Sequence, residues 1–154
     1  MFKGLELWII VIPILFVGLL IYFYGFGARD VTGGKVFVSG HEFKVDISDT
    51  VLKRQQGLSG REKLADDEGM LFVFERPAVR RFWMKDMPIP IDIIWISDGE
   101  VVGFERNLEP EPSVSIFSLK TYSSPQPVKL VLEVSAGTID RLGIKKGDSV
   151  SIRL

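Results

Sequence analysis

The sequence predicts an all-β fold, a β-sandwich or barrel-like domain with two short helices, preceded by one N-terminal transmembrane helix. Three observations lead there. No charged residue occurs from Leu7 to Ala28. Beyond it, short β-branched and aromatic runs alternate with turn signals about every eight to twelve residues. Only two later stretches read as helices, both short and each stopped by a glycine.

The apolar run LWIIVIPILFVGLLIYFYGFGA has 22 residues and, as a helix, would rise roughly 33 Å, about one bilayer core. Pro13 is tolerated in a lipid-embedded helix, and Trp8, Tyr22 and Tyr24 suit the two interfacial belts. A cleaved signal peptide is the rival, with Gly25 and Gly27 as a small-x-small site, but the run exceeds the roughly 7–15 apolar residues of a signal. The expected organisation is an anchor over 1–28, a polar linker over 29–34 (RDVTGG completes it) and a soluble β domain over 35–154. Lys3 is balanced by Arg29 and Lys35, so sidedness rests on the default for one N-terminal span, with the domain outside the cytoplasm.

Within the domain, KVFV and HEFKVDI read as two strands around Ser39-Gly40. Ser48, Asp49 and Thr50 offer an N-cap, and TVLKRQQ is a short helix that stops at Gly57. REKLADDEG is a polar loop, and MLFVF is a buried-type strand ended by Pro77. VRRFWMK and IDIIWI are two more strands about a turn with Pro88 and Pro90, and Asp98-Gly99 makes a hairpin into EVVGFER. The irregular stretch from Asn107 to Pro127 holds four of the eight prolines. VKLVLEV is a strand, GTIDRL a second short helix ended by Gly143, and SVSIRL the last strand.

Composition removes several functions. With Lys+Arg 19 against Asp+Glu 20 the net charge is -1, and no basic block exists to neutralise a phosphate backbone, so nucleic acid is not expected as a partner. The chain has no cysteine, which rules out disulfide, thiolate-metal and cysteine-nucleophile chemistry. One Asn and three Gln in the whole chain are the pattern of a thermostable protein. His41 has no ligand spacing around it, Asp66-Asp67-Glu68 lacks alternating oxygen ligands, and Ser123-Ser124 lacks a nucleophile elbow. No metal, nucleotide or other cofactor is therefore expected.

The densest stretch is RRFWMKDMPIPIDIIWI, Arg80 to Ile96. A strand period of two places Trp83 and Lys85 on one face, and Asp92 and Glu133 each interrupt an apolar strand. These three charged groups form either a buried acid/base cluster roofed by Trp83 or cross-strand ion pairs and hydrogen-bond anchors beneath loops. The second reading is favoured, since three charges spread over some fifty positions are a weak signal of chemistry. Asn107, the one asparagine, makes either an Asx-turn or a ligand hydrogen bond at a pocket mouth.

The series Gly57-Leu58, Arg61, DEGMLFVF (67–74), FWMKDMPIPIDIIWI (82–96), Asp98-Gly99, Asn107 with Pro110, and VLEVSAGTIDRLGIKKGD (131–148) resembles the family called domain of unknown function 192, or uncharacterised protein family 0127. The resemblance runs over 35–154. It implies a compact β-sandwich with short helices and no established activity. The polar positions of its pattern fall here on Arg61, Lys85, Asp92, Asn107 and Glu133, and with Trp83 they are the candidate ligand-binding residues. Met87 departs from the small polar residue often found there. The expected function is non-catalytic binding of a small ligand, an envelope polymer or a membrane protein partner. The alternative is a hydrolase or lyase with Asp92 or Glu133 as general base and Lys85 or Arg61 stabilising negative charge.

Overall fold

The computed structural model describes residues 33–154 except 112, 113 and 116. The expected membrane span, 7–28, lies outside the described residues, among which no helix is long and apolar enough to cross a membrane. The described strands and helices, in chain order, are β1 Gly33–Val38, β2 His41–Ser48, α1 Val51–Gln56, β3 Glu68–Ala78, β4 Arg81–Phe82, β5 Ile91–Ser97, β6 Glu100–Leu108, β7 Tyr122–Ser123, β8 Val128–Ser135, α2 Thr138–Leu142 and β9 Val150–Arg153.

Seven strands form one sheet in the order β6-β5-β8-β3-β2-β1-β9, and β4 pairs with β7 in a second, two-stranded sheet. The large sheet curls until its two edges meet. The Val101 N–H donates to the Asp148 carbonyl at 2.9 Å and the Val150 N–H to that of Gly99 at 2.7 Å. The architecture is thus a half-barrel, the barrel-like alternative and not two facing sheets.

Both faces of the sheet are covered. Val36, Val38, Val45, Leu71, Ile94, Ile96, Leu132 and Val134 fill the inner, concave side with Ile139 of α2. Phe72, Ile91, Ile93, Trp95 and Val131 pack on the outer side under Leu58, Met84, Met87 and Tyr122. Such double burial is why IDIIWI reads as an apolar run broken only by Asp92, with no polar alternation.

Local signals explain most elements. Ser39 and Gly40 take φ 48 and 84, and Asp98 and Gly99 take 52 and 77, as tight hairpin turns require. The Thr50 side chain accepts from the Lys53 N–H at 3.2 Å, and Gly57 ends α1 at φ 51. Two strand expectations need correction. β3 runs past Pro77, because its ladder with β8 is irregular between Val73 and Ala78; a proline is tolerated where no ladder donor is needed. The strand expected over VRRFWMK shrinks to Arg81–Phe82. Met84 and Met87 are both buried, and a turn closed by the Met87 N–H on the Met84 carbonyl at 3.3 Å brings both inward. Asp86 takes φ 54 there, and the Lys85 carbonyl accepts from Ser59 Oγ at 2.9 Å. Trp83 and Lys85 therefore do not alternate along a strand.

Asp92 ties the inner layer together. Its two carboxyl oxygens accept from the Asn107 N–H at 2.8 Å and the Ile139 N–H at 2.9 Å. Asn107 sits at φ 50, where β5–β6 register slips by one residue. α2 has no side-chain cap of its own at Gly137, so Asp92 satisfies one of its first N–H groups from another strand. Replacing Asp92 by alanine leaves two inward N–H groups without acceptors, at about 1–3 kcal/mol each. We expect the thermal midpoint of Asp92→Ala to fall by about 10 °C or more; a midpoint within about 2 °C of the parent would contradict this anchoring role.

Candidate functional site

A pocket of about 310 Å³ opens on the outer face, at the low end of small-molecule sites. α1 and Gly57–Ser59 form one side, Phe72 and Phe74 of β3 another, and Arg81, Phe82, Trp83 and Met87 a third, with Glu133 of β8 also in the lining. The β3 irregularity and the Met84–Met87 turn shape this space. Phe82 is held edge-on by Phe72, ring centroids 4.9 Å apart, and by Trp95 at 5.5 Å. Gly57 keeps the opposite wall thin, since a Cβ there would lie 3.3 Å from the Phe72 ring at a positive φ. Trp83, by contrast, is half-exposed at the rim.

Glu133 is 5% exposed. It pairs across the strands with Met70 and Ile93, so its immediate neighbours along the sheet are apolar. Its Oε2 has no hydrogen-bond partner among the described residues. Burial pushes the carboxyl up to about 8, because the charged form loses water and gains no cation.

The six residues expected from sequence do not form one cluster. Asp92 pairs with Val134, whereas Glu133 pairs with Ile93; directly opposed residues share a face, so the two acids point to opposite sides of the sheet. Asn107 uses its backbone, to hold Asp92. Arg61 is engaged by Asp46 at 2.8 Å, Glu68 at 3.1 Å and the Lys63 carbonyl at 3.1 Å. The Lys85 ammonium, close to half-exposed, has Asp86 at 3.6 Å. Of the six, only Trp83 and Glu133 line the pocket. Strand alternation and the turn at Lys85 place Lys85, Asp92 and Glu133 apart.

Arg54 and Arg81 line the pocket too, and neither is singled out by the sequence. Arg54 reads as an ordinary basic residue in the last turn of a short helix. The usable signal was the unbroken pair Arg80-Arg81 directly before an aromatic pair.

Fold and pocket together define a small, mostly β domain with a partly apolar outer pocket. The family model described as DUF192, "Uncharacterized ACR", matches residues 34–152. The chain belongs to that family. A protein of unknown function from Novosphingobium aromaticivorans has a crystal structure that superposes with a TM-score of 0.71 at 33% identity, covering 81% of this chain and 91% of that one. A crystal structure described as a "putative transcription regulator" from Sinorhizobium meliloti gives 0.70 at 33% identity, covering 81% of this chain and 97% of that one. Comparison with curated proteins returned no match.

The Glu133 environment has a consequence for stability. Unfolded, this carboxyl loses its proton near 4.5; folded, near 8. Between those values the native state holds the extra proton, so the contribution is fully present below 4.5 and is lost as pH rises through 8. We expect the parent to lose more stability than Glu133→Gln between pH 5 and pH 9, by several kcal/mol. Denaturant unfolding at both pH values tests it, and parallel pH profiles would contradict it.

Proposed function

We propose that the domain is a non-catalytic binding module for a small ligand, presented at a membrane by the apolar segment 7–28. One observation carries the ligand reading: Glu133 lines the pocket with a buried oxygen that no described residue satisfies. An unmet polar atom costs about 1–3 kcal/mol, and a ligand that pairs with it recovers that cost on binding. Aromatic walls fixed edge to face add a pre-formed apolar surface. An envelope polymer would need an open groove, and a protein partner a broad apolar patch; neither matches a pocket of about 310 Å³ as closely.

Glu133 also favours the hydrolase or lyase alternative, since a carboxyl that titrates near neutrality suits general acid/base work. Its electrostatic partners would then be Arg54 and Arg81, not Lys85 or Arg61. Chemical change of a bound compound, in place of its release intact, would assign that reading.

The full chain, purified from membranes, tests the binding proposal in a thermal-shift screen against small organic fragments. A ligand at one hundred times its Kd stabilises by about 2.7 kcal/mol. We expect stabilising compounds whose effect falls by half or more in Trp83→Ala, a variant that removes only a half-exposed wall. Shifts that are equal in parent and variant, or no shifts, would contradict the proposal. Recovery of the chain from the soluble fraction would contradict the anchor.

A further inference from the structure

We infer that the pocket takes a small organic anion, a flat and mostly apolar body bearing one carboxylate or phosphate group. Its oxyanion is received by the guanidiniums of Arg54 and Arg81 while the body lies along Phe72, Phe82 and Trp83 and turns a neutral polar substituent to Glu133. This inference rests on the pocket being a binding site.

The charge around the pocket is one-sided. Arg54 and Arg81 have no carboxylate within ion-pair distance among the described residues, and neither does Arg80 beside them. Asp49, the acid nearest along the chain to Arg54, is taken by Lys53 at 2.9 Å. The Arg80 guanidinium is held below its usual range by burial and then by the charge of Arg54, and the Asp49 carboxylate, which also feels Arg54, is hydrogen-bonded first to Lys53. That local excess of cations is not the composition of the chain, in which acids slightly outnumber bases. The one acid in the pocket lining is Glu133, whose proton is retained at neutral pH.

Arg54 is also pre-positioned. One terminal nitrogen donates to the Asp49 and Val73 carbonyls at 2.7 and 2.8 Å, and the guanidinium lies 5.1 Å from the Phe74 ring centroid. Its Nε and second terminal nitrogen have no acceptor among the described residues, which leaves donors to offer. A guanidinium already fixed loses little freedom when it receives an oxyanion, and its fork geometry matches carboxylate or phosphate oxygens. Arg81 supplies a second, exposed cation at the same opening.

The test uses the full chain in neutral detergent with its tryptophan indoles labelled with ¹⁵N, the Trp83 signal being assigned from Trp83→Phe. Phenyl phosphate, benzoate, benzyl alcohol and benzylamine are titrated in turn. We expect one or both anions to move the Trp83 signal saturably and to bind at least about tenfold tighter than the alcohol or the amine. Whichever anion binds tighter names the head group. Arg81→Gln, a change at an exposed side chain, should weaken the anion about tenfold and leave the alcohol unchanged; Arg54→Gln serves as a second variant. If the alcohol or amine moves Trp83 as tightly as the anions, the anion inference is overturned and the pocket stands. If no probe moves Trp83, both are overturned.

Discussion

Strands β5 and β8 are covered on both faces, and the fate of the acids they carry follows from that burial. A carboxyl group there has no water, so it needs donors from the protein or it keeps its proton. Asp92, on the inner face, has two backbone donors supplied by a register slip in β6 and by the start of α2. Glu133, one strand away and on the outer face, has none for its Oε2 among the described residues. Alternation along a pleated sheet thus separates a structural acid from one left open to a ligand.

The same geometry decides what surrounds Glu133. An ideal β3 would continue its ladder against β8, but the irregularity before Ala78 frees Phe74 and Arg80 to stack, 3.7 Å from guanidinium carbon to ring centroid. The turn at Lys85–Asp86 buries Met84 and Met87 against the outer side of the sheet, with Met87 in the pocket wall, and leaves Trp83 at the rim. Both deviations from regular strand lie beside the pocket. A regular strand through Arg81–Met87 would not give this arrangement.

Much of the fold was legible. Ser39-Gly40, Asp98-Gly99, Thr50 and Gly57 are local instructions, read from backbone preferences that hold without tertiary context. The order of motifs from Gly57 to Asp148 likewise led to the family. What failed was non-local. Phe-Trp-Met-Lys has strand propensity, yet burial of two methionines three positions apart outweighs it and forces a turn. Glu133 was legible as an acid inside an apolar strand. Its separation from Asp92 was not, because facing depends on strand pairing between segments some forty residues apart. Arg54 was invisible for a different reason: its meaning comes from Phe74 and Val73, which only the folded chain brings near.

Everything proposed for the outer pocket depends on Glu133 being a neutral carboxyl group held against it. Selective ¹³C labelling of glutamate side chains, with Glu133→Gln to assign the signal, reads its titration directly by NMR. We expect a midpoint near 8. A midpoint near 4.5, the ordinary value, would mean that water or a cation already reaches Oε2, and the pocket would lose the polar group on which its function depends.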